Sequence, residues 1–136
     1  MSGRAVCDAS ALVAVLVDGG EAGTWAAGQF VGVDLLAPGL VVFEVANVLR
    51  RHELATLVSA DQAAQAHRDL LDLPIDLWPY ELVAARAWEL RANLSIYDAA
   101  YVALAEQTGA TLVTLDVRIG RAPGVGCPVA APPPVS

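Results

Sequence analysis

Short apolar runs separated by helix-length segments constrain this chain more than any other feature. Ala5-Val6-Cys7 is one such run, Asp34-Leu35-Leu36-Ala37 a second and Ile75-Asp76-Leu77-Trp78 a third. Thr111-Leu112-Val113-Thr114-Leu115, apolar and β-branched, is the clearest strand. Helices are expected over residues 9–17, 21–32, 40–53, 59–73, 80–92 and 96–108, with a helical turn at 117–121 and a last short strand at 127–129. The punctuation agrees: Asp18-Gly19-Gly20 stops the first helix, Pro38-Gly39 closes the second strand, and Ser59 is a cap. Gly109 stands where a left-handed residue ends a helix. Strands joined through helices run parallel, so the class is α/β: a mostly parallel sheet of four to five strands with helices on both faces.

One domain over residues 1–130 accounts for a chain of 136, leaving a Pro-rich tail at 131–136 that is expected to be disordered. Hydrophobic residues at 56% exclude a disordered chain, and Asp8 and Asp18 interrupt the first apolar segment too early for a membrane span or a secretory leader. A cytoplasmic, membrane-free protein is expected. Cys7 and Cys127 have no third Cys or His at ligand spacing, so neither zinc nor a disulfide framework is supported; both read as buried apolar side chains. His52 and His67 read as surface residues on helices. Eight Arg and no Lys against fifteen acidic residues give a net charge of −7, which excludes loose, charge-driven binding to nucleic acid.

Four carboxylates stand out. In a parallel sheet the residues just after each strand gather on one edge, and ligands collect where the strand order reverses. Asp8 and Asp116 each end a strand, and they meet if those two strands are central neighbours. Asp98, near the start of the helix after Ser95, comes to the same edge. Glu44 shares an otherwise apolar helical segment, 41–49, only with Asn47, and an ionised carboxylate there needs a partner. Plainer readings stay open: Asp8 as a helix cap, Asp98 as half of a capping box with Ser95, and Asp116 as the start of a turn. Taken together, four clustered carboxylates repel by about 3 kcal/mol per pair at an effective dielectric of 20. With no Lys in the chain, a hard divalent cation, Mg²⁺ or Mn²⁺, is the economical counter-charge.

The motifs Val6-Cys7-Asp8-Ala9-Ser10, Phe43-Glu44-Val45-Ala46-Asn47, Leu94-Ser95-Ile96-Tyr97-Asp98-Ala99-Ala100-Tyr101 and Leu112-Val113-Thr114-Leu115-Asp116, in this order, resemble the PIN-domain family and within it the VapC-type toxins of toxin–antitoxin pairs. The resemblance implies a PIN-like three-layer fold and a Mg²⁺- or Mn²⁺-dependent endoribonuclease. It places the acidic metal site and catalytic residues on Asp8, Glu44, Asp98 and Asp116, with Ser10, Asn47 and Thr114 in support. It also implies an RNA substrate, a VapB-type antitoxin and a homodimer. A positive mean hydropathy, with Trp25 and Phe30 on the second helix, is consistent with an apolar dimer face. Arg50 and Arg51, which follow Glu44 on its helix, are candidate RNA contacts or simply a solvated helix end.

The alternatives are a PIN nuclease of RNA processing or decay without an antitoxin, and a non-catalytic domain with an acidic pocket. A haloacid dehalogenase-type phosphatase needs Asp-x-Asp after its first strand and a later Lys, whereas Ser10 holds the third position and Lys is absent.

Overall fold

A computed structural model describes residues 3–134. Five strands, β1 (Gly3–Cys7), β2 (Val33–Pro38), β3 (Ile75–Trp78), β4 (Thr111–Val113) and β5 (Val129–Ala130), form one sheet in the order β3-β2-β1-β4-β5. Every pairing is parallel, which sharpens the expected mostly parallel sheet into an all-parallel one. Six helices connect and flank it: α1 (Ala9–Val17), α2 (Glu21–Gln29), α3 (Leu40–Leu54), α4 (Ala60–Asp72), α5 (Ala84–Glu89) and α6 (Ile96–Thr108). The chain winds outward from β1 through β2 to β3, then returns to place β4 on the other side of β1. The strand order therefore reverses between β1 and β4, and their carboxyl ends open the crevice where such sheets bind ligands.

The pleat sorts side chains into two apolar clusters. Val6 is in register with both Leu36 and Leu112, and these three pack in a cluster that includes the buried run 99–105 of α6. Ala5 and Val113 join Ala11 of α1 in the second cluster, with Trp25 and Phe30 packed against it. Those two aromatics are half-buried against the sheet and do not form an exposed face. Among the exposed apolar side chains are Val31, Phe43, Leu54, Leu57 and Tyr97.

Local chemistry explains the boundaries. Ser59 accepts from Gln62 N while the Gln62 side chain bonds back to Ser59 N, a full capping box at the start of α4. Gly109 ends α6 at φ 66°, the left-handed conformation expected there. Gly23 is required for space, since a Cβ there would stand 1.8 Å from Asp18 O, so α2 docks on the end of α1 only with glycine at this position.

Three expectations shift. The helix expected over 80–92 divides, because Val83 leaves helical dihedrals to bury its side chain; a single tight turn, Tyr80–Leu82, precedes the short α5. The last strand pairs at Val129–Ala130, later than expected, where Pro128 O and Ala130 O accept from Leu112 N and Thr114 N. Cys127 is only half-buried, whereas Cys7 is fully buried and its thiol is pushed up to about 12, mainly by burial. Of the expected tail, residues 131–134 carry no regular element, and 135–136 lie outside the described residues. No helix among the described residues is long and apolar enough to cross a membrane.

A charged clamp closes the far end of α6. Arg86 Nε and Nη2 donate to Glu106 at 2.6 and 3.2 Å, Gly126 N donates to the same carboxylate at 2.6 Å, and Arg86 Nη2 also donates to Gly124 O at 2.7 Å. This ties α5, α6 and the segment entering β5. The Arg86 guanidinium holds the Glu106 carboxyl below its ordinary value of 4.5, so the clamp's contribution is complete above that pH and is lost as pH falls through the lowered value. Glu106→Gln is expected to cost about 1 kcal/mol at neutral pH, discounted for solvent screening. Thermal unfolding against pH should show the gap from the wild type narrowing below pH 4.5.

Candidate active site

Asp8 is the anchor of the site. It follows β1 directly, is 7% exposed, and caps α1 by accepting from Ala11 N at 3.0 Å. Ser10 Oγ donates to Oδ1 at 2.6 Å, and Thr114 Oγ1, fully buried beyond the end of β4, donates to Oδ2 at 2.5 Å. The same hydroxyls accept in turn, Ser10 Oγ from Leu115 N and Thr114 Oγ1 from Asp116 N, both at 2.9 Å. A buried carboxylate without donors costs several kcal/mol. Here three donors from two neighbouring strand ends meet it and lock the β1–α1 turn to the β4 exit.

The other three carboxylates arrive from three directions. Asp98 occupies the first turn of α6, whose N-cap Ser95 accepts from Asp98 N at 3.1 Å. One turn further on the same face, Tyr101, 2% exposed, donates its phenolic hydroxyl to Glu44 Oε1 at 2.6 Å and so fixes the side chain that α3 delivers. Asp116 opens a turn by accepting from Arg118 N at 3.0 Å, and the Arg118 guanidinium closes on both its oxygens at 2.9 and 2.8 Å.

Electrostatics separates one member from the rest. Burial pushes the Asp8, Glu44 and Asp98 carboxyls above their ordinary values, and neighbouring carboxylates add to it: Asp98 acts on Asp8, Asp8 and Asp98 on Glu44, and Asp116 on Asp98. Asp116 goes the other way, held down by Arg118. All four expected site residues are thus brought to one edge and coupled. Among the described residues, however, no three acidic, His or Cys side chains converge tightly enough to ligate one ion. Protein donors meet two of the four, Tyr101 at Glu44 and Arg118 at Asp116. The donor set is all carboxylate oxygen, hard and mutually repelling, which suits Mg²⁺ or Mn²⁺.

Of the expected supporting residues, Ser10 and Thr114 hold Asp8 directly, whereas Asn47 is exposed and bonds to none of the four. Two residues given no role in the sequence reading belong to the site. Tyr101 had a signal, a hydroxyl three positions after Asp98 on an otherwise apolar helix; Arg118 had only its nearness to Asp116. Arg50 and Arg51 lie toward the other end of α3, about 9–10 Å along its axis from Glu44.

Comparison with known proteins places this geometry. The model of the PIN domain matches residues 5–125. Ribonuclease VapC9 of Mycobacterium tuberculosis is 38% identical over 128 residues, covering 94% of this chain and 98% of that protein. A crystal structure of a Pyrobaculum aerophilum protein superposes with a TM-score of 0.60 at 27% identity, covering 93% of this chain and 92% of the other. A member of the VapBC family of toxin–antitoxin systems from M. tuberculosis, VapBC-5, shares the fold with a TM-score of 0.56 at 21% identity, over 95% and 97% of the two chains.

The repulsion has a measurable consequence. Asp98 is raised above 3.8 in the folded state, so its charge costs stability progressively as pH rises above that value. Asp98→Asn is expected to be more stable than the wild type at pH 7.5 in chelator, by about 0.5–2 kcal/mol, with the advantage vanishing near pH 4. Thermal unfolding at the two pH values checks it.

Proposed function

Because this chain belongs to the PIN-domain family, with VapC ribonucleases among its relatives, we propose that it is a VapC-type toxin: a divalent-metal-dependent endoribonuclease that hydrolyses RNA phosphodiester bonds. The observation that carries this reading is Asp8, buried at the strand-order reversal and coupled to Glu44 and Asp98, with Asp116 coupled in turn to Asp98.

Asp8, Asp98 and Asp116 would hold Mg²⁺ or Mn²⁺, with Glu44 as a further ligand or as the group beside the attacking water. A divalent cation there lowers the pKa of bound water and steadies charge on the phosphate and the leaving oxygen. The protein's own contribution is placement. Ser10, Thr114 and Ala11 N fix Asp8 in one orientation, and Ser95 fixes the turn that presents Asp98. Tyr101 holds Glu44 Oε1, leaving Oε2 to orient a water and accept its proton as the water's oxygen adds to phosphorus and the opposite P–O bond to the ribose oxygen breaks, that oxygen leaving as a hydroxyl with a proton from solvent. Burial and its acidic neighbours raise the Glu44 carboxyl, which improves it as a proton acceptor. Neither His competes for the role, because both stand on α3 and α4 away from this edge.

The chain also forms a homodimer and is neutralised by a VapB-type antitoxin. A groove of about 360 Å³ lined by Ser10, Val13, Val17, His52, Leu57 and Leu115 leads from the site along α1, and it offers an apolar track for a partner segment. The apolar surface available to partners centres on Leu54 and Leu57, not on Trp25 and Phe30.

Cleavage of a single-stranded RNA is expected to stop in excess chelator and return with Mg²⁺ or Mn²⁺; cleavage that persists in chelator refutes the metal site. Glu44→Gln keeps the shape and the Tyr101 contact, and is expected to lower the cleavage rate at least 100-fold with little change in RNA affinity. An unchanged rate makes Glu44 structural.

A further inference from the structure

The Arg118 guanidinium is peculiar in its setting. Its side chain is 86% exposed, yet it lies bidentate on Asp116, 28% exposed, at the edge where carboxylates crowd. An exposed ion pair of this kind contributes about 0–1 kcal/mol, so a better anion can take the guanidinium away. Beside it lies a cavity of about 230 Å³ lined by the charged groups Asp98, Asp116 and Arg118, by the apolar Leu94, Ile119 and Ala122, and by Asn93 and Ser95. Two of the four site carboxylates therefore form part of its lining, and any phosphate brought to them has its neighbouring groups in this space.

We propose that this cavity is the subsite for one unpaired nucleotide next to the cut, with its base against Leu94 and Ala122 and its phosphate on Arg118, which leaves Asp116 when the phosphate arrives. The proposal rests on the ribonuclease reading and deepens it. Three features of the cavity carry it. The size is right for a single base, since pockets for drug-sized ligands start near 300 Å³. The chemistry is right, the partly exposed Leu94 and Ala122 side chains for a flat ring, the Ser95 hydroxyl for a polar edge, and a planar fork of donors matched to phosphate oxygens. The charge is right: with a net charge of −7 and no Lys, attraction for RNA must be local, and Arg118 is the cation already at the carboxylates. A base still paired and stacked in a helix does not enter a pocket of this kind, so single strands, loops and bulges are the substrates selected. In this structure Arg118 pairs with Asp116, and transfer of the guanidinium to a phosphate frees both Asp116 oxygens beside Asp98.

The test uses the full chain with Arg118→Ala, Arg118→Lys and, as a control, Arg121→Ala, which removes an exposed cation from the same turn without touching the cavity. Affinity for a short mixed-sequence single-stranded RNA and for the matching duplex is measured against NaCl by fluorescence anisotropy, with Ca²⁺ in place of Mg²⁺, and Mn²⁺ binding is measured alone by calorimetry. Arg118→Ala is expected to weaken single-strand binding roughly tenfold and to reduce the salt slope by about 0.7, with Lys restoring part of the affinity and Arg121→Ala changing neither. Mn²⁺ binding to Arg118→Ala should be as tight as, or tighter than, in the wild type. Single-strand affinity and slope unchanged in Arg118→Ala overturn the subsite, as does duplex binding equal to that of the single strand. Weakened RNA binding together with weakened Mn²⁺ binding also overturns it, because Arg118 then acts only by positioning Asp116. Cleavage abolished by Asp8→Ala separates these results from failure of the underlying reading, which would show as cleavage indifferent to that substitution.

Discussion

The hydrogen bonds into Asp8 are the constraint on which the rest of the site depends. A carboxylate at the end of a central strand faces two demands, to keep its charge in a nearly dry position and to stay aimed at the crevice. Ala11 N, Ser10 and Thr114 meet both, because each donor fills one lone-pair direction and together they leave no alternative rotamer equally satisfied. Two of those donors are hydroxyls that also accept from Leu115 N and Asp116 N, so the backbone leaving β4 is held by the same groups that hold Asp8. Disturbing this network moves two carboxylates at once.

Around that anchor the fold works by topology. The reversal of strand order between β1 and β4 sets Asp8 beside Thr114 and brings Asp116 to the same edge, and the directions of α3 and α6 bring Glu44 and Asp98 there as well. Burial first, and the neighbouring carboxylates after it, raise Asp8, Glu44 and Asp98, while protein donors meet Glu44 and Asp116, Tyr101 and Arg118 respectively. A site in this condition has stability in reserve for any cation that enters it, in keeping with the trade between stability and activity at functional sites.

Most of the architecture was legible because its signals are local. The β-branched run before Asp116, the Ser59 box and Gly109 each mark an element without help from tertiary packing. The division of the helix at Val83 was not legible, since a valine fits a helical pattern and only the core position it fills pulls it out of line. At the site, the sequence set a structural role against a functional one for Asp8, Asp98 and Asp116, and the structure shows the cap or turn at each position while leaving the carboxylates at one acidic edge. Asp8 caps α1 and anchors the site, Asp98 follows a capping Ser95 and faces its fellow carboxylates, and Asp116 starts a turn while carrying an ion pair. Caps and turns are how a chain aims polar side chains at a sheet edge, so such readings are not rivals. Tyr101 and Arg118 went unseen because partnership across 57 residues, or a guanidinium folding back two positions, is a property of the assembled molecule.

Burial and mutual repulsion load the acidic edge, and the proposed divalent cation would relieve it. That relief is tested most directly by the unfolding temperature of the wild-type chain as MgCl₂ is added at constant ionic strength. The account predicts a saturable rise of several degrees, absent when NaCl replaces MgCl₂. An unfolding temperature indifferent to Mg²⁺ through the millimolar range would contradict it.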